Sequence, residues 1–310
     1  NGILSVKELN VVNGCQSLST IFSCSELAKK ADNAYIMFRF YEISDTERAD
    51  NISTSTNSQS AVKARDLRSN DKAVLAMKRA YEQFYPDGYF VTKRGEKVDS
   101  VKYNTAHVVN LTDLGKQLIA WHSQRPNLSY GETKIFDKYF DQLFRREYAP
   151  ENIQALNVLF STLYAKWDKD NPMGLNETLL AMKSYAPYHQ LYAISVIFCE
   201  INKMNDSVPS PAVVLKKLNA GGLLDTVVET AGSCLNMALE TASSEATDSG
   251  KMFVPQNWIK SKTSLKDLRT AIKQYLASLK MMPGGKQVLC QLNANLEMSK
   301  EDFDSRWTAD

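Results

Sequence analysis

Beyond His107 the apolar residues of this 310-residue chain recur three and four positions apart, and strand-like alternation disappears. That spacing belongs to helices burying one side. Leu111, Leu114, Leu118 and Ile119 begin the pattern, and segments 158–167, 178–182, 191–201, 213–218, 223–239 and 264–279 continue it. Pro209-Ser210-Pro211, Gly221-Gly222 and Pro283-Gly284-Gly285 punctuate them. The earlier part reads differently. β-branched and aromatic runs at 3–12, 34–43 and 89–97 alternate with amphipathic stretches at 17–28, 44–54 and 71–84. The expected class is α+β: a small α/β core over residues 1–105, then an α-helical domain over 106–310. No repeat or low-complexity tract interrupts either part.

Composition excludes several functions. With 44% hydrophobic and 23% charged residues the chain is ordinary for a soluble globular protein. A net charge of +2 gives no global field for nucleic acid, although a local patch is compatible with it. No run of about 18 apolar residues is present, so no membrane span is expected. Cys15, Cys24, Cys199, Cys234 and Cys290 are scattered without a CxxC pair, which argues against zinc ribbons and redox pairs and fits a reducing cytoplasm. His107, His122 and His189 form no metal-binding spacing, and no metal site is expected. The chain opens on Asn1 and almost directly on a strand, so upstream strands are expected to complete the first core.

The chemistry-bearing residues concentrate in the first module. Val11-Val12 ends an apolar strand, Asn13-Gly14 makes a tight turn, and Cys15-Gln16-Ser17 starts a helix. A helix start aims free N–H groups and a positive dipole end outward, which suits an anion. Asn13 and Gln16 add carboxamide donors and acceptors. The same residues also suit a simple strand–helix turn capped by Ser17. Thr56-Asn57-Ser58-Gln59 is a second carboxamide-rich turn, after another strand and helix. It reads either as a ligand loop or as a helix C-terminus, where Asn tolerates the left-handed conformation. Arg65, Asp66 and Arg68 follow. Arg68 could clamp a phosphate bidentately or pair with Asp66 or Asp71. Asp66 is the best candidate carboxylate. Lys93 and Arg94, beside Tyr89 and Phe90, suit either single-stranded nucleic acid or a solvated hairpin tip. Trp121, Trp167, Trp258 and Trp307 read as packing residues, and Glu200 as a solvated helix face. The helical half reads as an interaction or assembly platform.

Together "LNVVNGCQSLSTIF", "YIMFRFYEISD", "STSTNSQSAVKARDLRSND" and "YFVTKRGEK" resemble, in this order, the motifs of the abortive-infection phage-resistance (AIPR) family. The resemblance covers roughly residues 5–145, with Ser17 where Thr is usual and Phe90-Val91-Thr92 a looser match. It implies a cytoplasmic bacterial antiphage protein with a phosphate- or nucleotide-binding cleft. That cleft would use Asn13, Gly14, Cys15, Gln16, Ser17, Thr56, Asn57, Gln59 and Arg68. Lys93 and Arg94 would serve nucleic acid. At longer range the strand–Asn-Gly–helix unit is similar to the ParB/sulfiredoxin superfamily, some of whose members hydrolyse nucleotides. Gln16 and Asp66 are then the catalytic candidates, and a nucleotide with Mg2+ the implied cofactor. Here Asn13 replaces an acid, and no basic residue follows the turn, so binding without hydrolysis remains open. Sulfiredoxin carries a nucleophilic Cys at the place of Cys15. A thiol at a helix start is activated, but no His follows it here, and a small buried filler is the other reading. The expected partners are a nucleotide or nucleic acid and a phage-protein trigger, with no membrane. The rival expectation is a non-enzymatic module that binds nucleic acid or a phage protein.

Overall fold

A computed structural model describes residues 11, 15–31, 33, 35–37, 40, 64–167, 170 and 173–306, without the side chains of Cys15 and Gln16. Compact packing divides the chain into residues 1–63 and 64–310. In the first unit, helix α1 (Cys15–Ser23) begins directly after Asn13-Gly14, where the turn signal placed a helix start. Helix α2 (Ser25–Ala28) follows. The stripe expected to face a core does not: Ile21, Phe22 and Leu27 are all exposed, Phe22 by 82%. Of the segment 34–43, only Tyr35, Ile36, Met37 and Phe40 are described, none of them in a strand. The helix expected at 44–54 and the turn at Thr56–Gln59 lie outside the described residues.

The second unit opens with α3 (Ala64–Arg68) and α4 (Lys72–Phe84). The Asp71 carboxylate caps α4, accepting a hydrogen bond from the Ala73 N–H at 2.8 Å. Val74, Met77 and Tyr81 of its apolar stripe are buried. Pro86-Asp87 ends the helix, and β1 (Tyr89–Val91) follows. Its partner is no hairpin neighbour. Strand β1 pairs in parallel with β2 (Val108–Asn110), Tyr89 opposite Val108 and Val91 opposite Asn110. Parallel strands need a crossover of a dozen residues or more, which the segment 92–107 supplies. The turn at Lys93–Gly95 is therefore the start of that crossover and not a hairpin tip. At the other end of the pair, Asp87 accepts from His107 Nδ1 at 2.8 Å and from Asn104 Nδ2 at 3.1 Å. Both strand entries are thereby held together.

Asn110 ends β2 and caps α5 (Leu111–Trp121) through a 2.8 Å bond from the Thr112 N–H to its side chain. Gly115 on α5 allows close approach of the next segments: a Cβ there would meet Ile135 Cγ2 at 3.0 Å. Helices α6 (Glu132–Phe136) and α7 (Phe140–Phe144) wrap that face. Then come α8 (Pro150–Ala165), α9 (Glu177–Leu180), α10 (Ala186–Asn202), α11 (Pro211–Ala220), α12 (Leu224–Asp248), α13 (Pro255–Ile259), α14 (Thr263–Ser278) and α15 (Gly285–Leu296). The periodic segments all become helices. Several start earlier than periodicity shows because Pro150, Pro187 and Pro211 occupy first turns, where the missing N–H costs nothing. Two three-residue strands, β3 (Ser207–Pro209) and β4 (Phe303–Ser305), pair antiparallel. They are too short and too far apart in sequence to give a local signal.

Helix α10 lies at the centre, packed on α5, α8, α12 and α14. All residues from Ala186 to Cys199 are buried. Trp121, Trp167 and Trp258 are packing residues, their indole N–H groups donating to Pro209 O, Gln190 Oε1 and Asp267 Oδ2. Glu200, expected on a solvated face, instead has a side chain only 13% exposed and lies 3.6 Å from Lys273 Nζ. The end of α10 tucks under α14, which removes that face from solvent.

Two histidines are enclosed in this core. Burial, reinforced by the charge of Arg146, pushes the His122 pKa down to about 3. Burial pushes that of His189 down to about 4. Both are neutral in the fold, whereas the unfolded chain protonates them near pH 6.5. The unfolded state therefore binds more protons below that pH. Stability should be fully present above pH 6.5 and should fall by up to about 1.4 kcal/mol per pH unit per histidine below it. Urea denaturation at pH 7.5, 6 and 5 tests this; an unchanged midpoint at pH 5 would rule it out.

Candidate functional site

Asp66, Arg94 and Glu132 come from three segments and meet on the surface of the second unit. Asp66 lies on α3, 3.6 Å from the Nε of Arg94 in the crossover. Arg94 Nη2 donates to Glu132 Oε1, at the start of α6, at 2.7 Å. Beneath them Arg65 is only 2% exposed. Its Nε donates to Thr112 Oγ1 at 3.0 Å, and its Nη1 lies 3.5 Å from Asp66 Oδ1. Two residues that sequence reasoning singled out from separate motifs, Asp66 and Arg94, are thus brought together. Glu132 and Thr112 escaped it. A Glu at a helix start and a Thr after a cap are ordinary, and only the packing of α6 on α5 reveals them.

A cleft of about 390 Å³ lies along the β1–β2 pair, lined by Val91 of β1 and by both the first and the last residue of β2, Val108 and Asn110. Val91 and Val108 form its apolar floor, and Asn110, Asp113 and Asn157 its polar wall. Asn157 is held by a 3.1 Å bond from its Nδ2 to Val108 O. Asp113 sits in the first turn of α5 and is reached by solvent through the cleft. Partial desolvation raises its carboxyl pKa; Lys116 and Arg65 oppose this, and Glu132 adds to it. Solvent screens these influences, because Asp113 is an exposed residue. It carried no signal in sequence beyond being an acid in a helix's first turn.

The remaining sequence candidates are placed as follows. Ser17 is exposed in the first turn of α1. Arg68 turns away from Asp66. Its Nε donates to Phe136 O at 3.2 Å, its guanidinium lies 4.2 Å from the Phe140 ring centroid, and Asp71 is 3.7 Å away. Lys93 is exposed, and its backbone N–H donates to Glu96, closing a turn in which Gly95 takes φ +72. Tyr89 donates to the same carboxylate at 2.6 Å, and that bond, with burial, pushes its pKa up to about 12. Phe90 is fully buried, so no aromatic platform of that residue is open to a base. Asn13, Gly14, Thr56, Asn57 and Gln59 lie outside the described residues, as do the side chains of Cys15 and Gln16. Cys199 and Cys234 are buried thiols whose pKa values burial raises to about 11 and about 12, the reverse of activation. Among the described residues no group of three or more His, Cys, Asp or Glu could hold a metal ion. Asp66 and Glu132 converge on a guanidinium instead.

Burial separates the two arginines energetically. Replacing Arg65 by Ala removes a buried side chain, leaves the part-buried Thr112 hydroxyl without its donor and leaves Asp66 with Arg94 alone, and should cost about 2–4 kcal/mol. The Arg94 side chain is 43% exposed. Its pairs are those of a surface, and Arg94→Ala should cost less than about 1 kcal/mol. Urea denaturation of the two variants tests this; equal losses would refute the buried-anchor role of Arg65.

No curated protein and no solved structure matches the chain. One sequence family does match, described as AIPR protein, over residues 1–277. The match takes in both the motif-bearing first part and most of the helical part. The ordered motifs and this extent of agreement place the chain in the AIPR family.

Proposed function

We propose that this chain is a cytoplasmic antiphage defence protein of the abortive-infection type whose first module binds the phosphates of a nucleotide or nucleic acid. Family membership supports the defence role. Helix α1 supports the site, since it starts at Cys15 immediately after Asn13-Gly14. That arrangement offers free N–H groups and a positive dipole end at the turn whose side chains are carboxamides. In this reading Asn13, Gly14, Cys15, Gln16 and Ser17 form one half of the phosphate site and Thr56, Asn57 and Gln59 the other. In the second unit Arg68, with a side chain 33% exposed, is proposed as a phosphate contact, and Lys93 and Arg94 as nucleic-acid contacts. The fold proposed for residues 1–105 is of the ParB/sulfiredoxin kind. Hydrolysis of a nucleotide or phosphodiester would use Gln16 or Asp66, with Mg2+ brought in by the substrate.

One observation favours the rival, a non-enzymatic module binding nucleic acid or a phage protein. Asp66, the best candidate carboxylate, is engaged by both Arg65 and Arg94, so it must leave them before acting as a base or metal ligand.

Calorimetric titration of ATP, GTP and CTP, with and without Mg2+, distinguishes these readings when phosphate release is assayed in the same samples. The wild type should bind at least one nucleotide, and Asn13→Ala/Gln16→Ala should weaken it by about tenfold or more, the loss of one or two hydrogen bonds to a charged group. Released phosphate would make the protein a hydrolase. Absence of nucleotide binding by the wild type would discard the phosphate site in favour of the interaction module.

A further inference from the structure

The chain's small net charge hides a strong segregation. Residues 257–288 hold seven basic residues against the single acid Asp267, a net +6 where the whole chain is +2, so the remainder is net −4. Most of this charge is ordered on one helix. Lys262 is the N-cap of α14 and has helical dihedrals, φ −69 and ψ −20. Lys266 and Lys273 lie within α14, and Lys280 follows its C-terminal cap Leu279. At 100° per residue these four lysines fall within an arc of roughly 40°, along a line about 27 Å long. All four are exposed. Among the described residues Lys262, Lys266 and Lys280 face no carboxylate within ion-pair distance, and only Lys273 has one, Glu200 at 3.6 Å. The one acid of the helix, Asp267, is turned aside to accept the Trp258 indole N–H at 2.8 Å. Arg269, on the same stripe, is anchored inward on Tyr192 OH at 2.6 Å and Gln124 Oε1 at 3.0 Å, which fixes the rotation of the helix.

We infer that this lysine line on α14 is a docking surface for the phosphate backbone of duplex nucleic acid, separate from the site proposed in the first module. Like charges held in a line without counter-charges repel one another, and a polyanion relieves that repulsion while releasing its counterions. A duplex fits better than a single strand. Single-strand grooves use exposed aromatics as stacking platforms, and none stands on this stripe: Tyr275, the sole aromatic of α14, packs against the core. A duplex also fits better than an anionic bilayer. A helix lying in a membrane inserts its apolar face, but Leu268, Ala271 and Ile272 of α14 are already buried in the protein, largely against α12. Met281 and Met282, beyond one end of the line, are exposed apolar residues.

The test measures binding of a fluorescent 20-base-pair duplex by anisotropy between 50 and 200 mM salt, for the wild type and for Lys262→Gln/Lys266→Gln/Lys280→Gln. Phosphatidylserine vesicles and a single-stranded 20-mer are run in parallel. The wild type should bind the duplex, with log K falling linearly in log salt. The triple variant should bind at least tenfold more weakly at 50 mM salt, with a slope smaller by about 2–3, close to 0.9 for each lost phosphate contact. Its thermal midpoint should match the wild type, because the three side chains are exposed. A control variant that removes three exposed lysines elsewhere, Lys134→Gln/Lys138→Gln/Lys216→Gln, should leave duplex affinity unchanged, which separates this line from a general loss of positive charge. No duplex binding by the wild type, an unchanged slope in the triple variant, or tighter binding to the vesicles or the single strand would each overturn the proposal.

Discussion

Helix α10 is buried on every side, and the second unit is organised around it. A helix enclosed in this way cannot be amphipathic, and its sequence, Ala186 to Asn202, is apolar all round apart from a few polar side chains. Those polar groups need partners, because an unsatisfied buried donor or acceptor costs about 1–3 kcal/mol. Gln190 accepts from Trp167 and donates to Val228 O at 2.7 Å, joining the end of α8 to α12. Ser195 accepts from Gln124, whose backbone is held at φ +53 after α5. Tyr192 accepts from Arg269 on α14. Each contact selects one neighbour and one register, which apolar packing alone would leave less specified.

The candidate site inherits its geometry from that arrangement. Helix α5 packs on α10 and carries β2 at its front, so the short parallel pair and its cleft are held from behind. Arg65 ties α3 to the first turn of α5 through Thr112. Asp66 is then presented next to Arg94, and α6, packed on both α3 and α5, brings in Glu132. A polar cluster assembled from residues 65 to 132 thus depends on a helix that begins only at Ala186. The two exposed charged features of this unit differ in kind. Around Arg94 the cations are matched by carboxylates and form a closed network. Along α14 only Lys273 has a carboxylate among the described residues, Glu200, so that the field extends outward.

Much of this was readable beforehand. Periodicity located α4, α5, α8, α10, α12 and α14. The Asn-Gly turn located the start of α1, because this is a short-range effect of backbone conformation and hydrogen bonding along the chain. The four ordered motifs identified the family. What was misread had a long-range cause. Glu200 was placed in water because its own helix face looked polar, while α14 covers it. The Lys93–Gly95 turn was compatible with a hairpin because strand direction is invisible in a three-residue run. Phe90 beside it could have been an exposed platform, and the parallel pairing buries it instead.

The amino-acid sequence by itself determined the helical character of the second part, the caps and breaks that divide it, and the chemistry carried by each motif. These follow from interactions within a few residues of the backbone. Tertiary structure alone decided that β1 and β2 run parallel, that Asp66 and Arg94 share one network with Glu132, that Asp113 lines a cleft, and that Lys262, Lys266 and Lys280 face outward with no carboxylate of the described residues in ion-pair distance. Those outcomes depend on which surfaces of distant segments are buried together, and no local pattern encodes that choice.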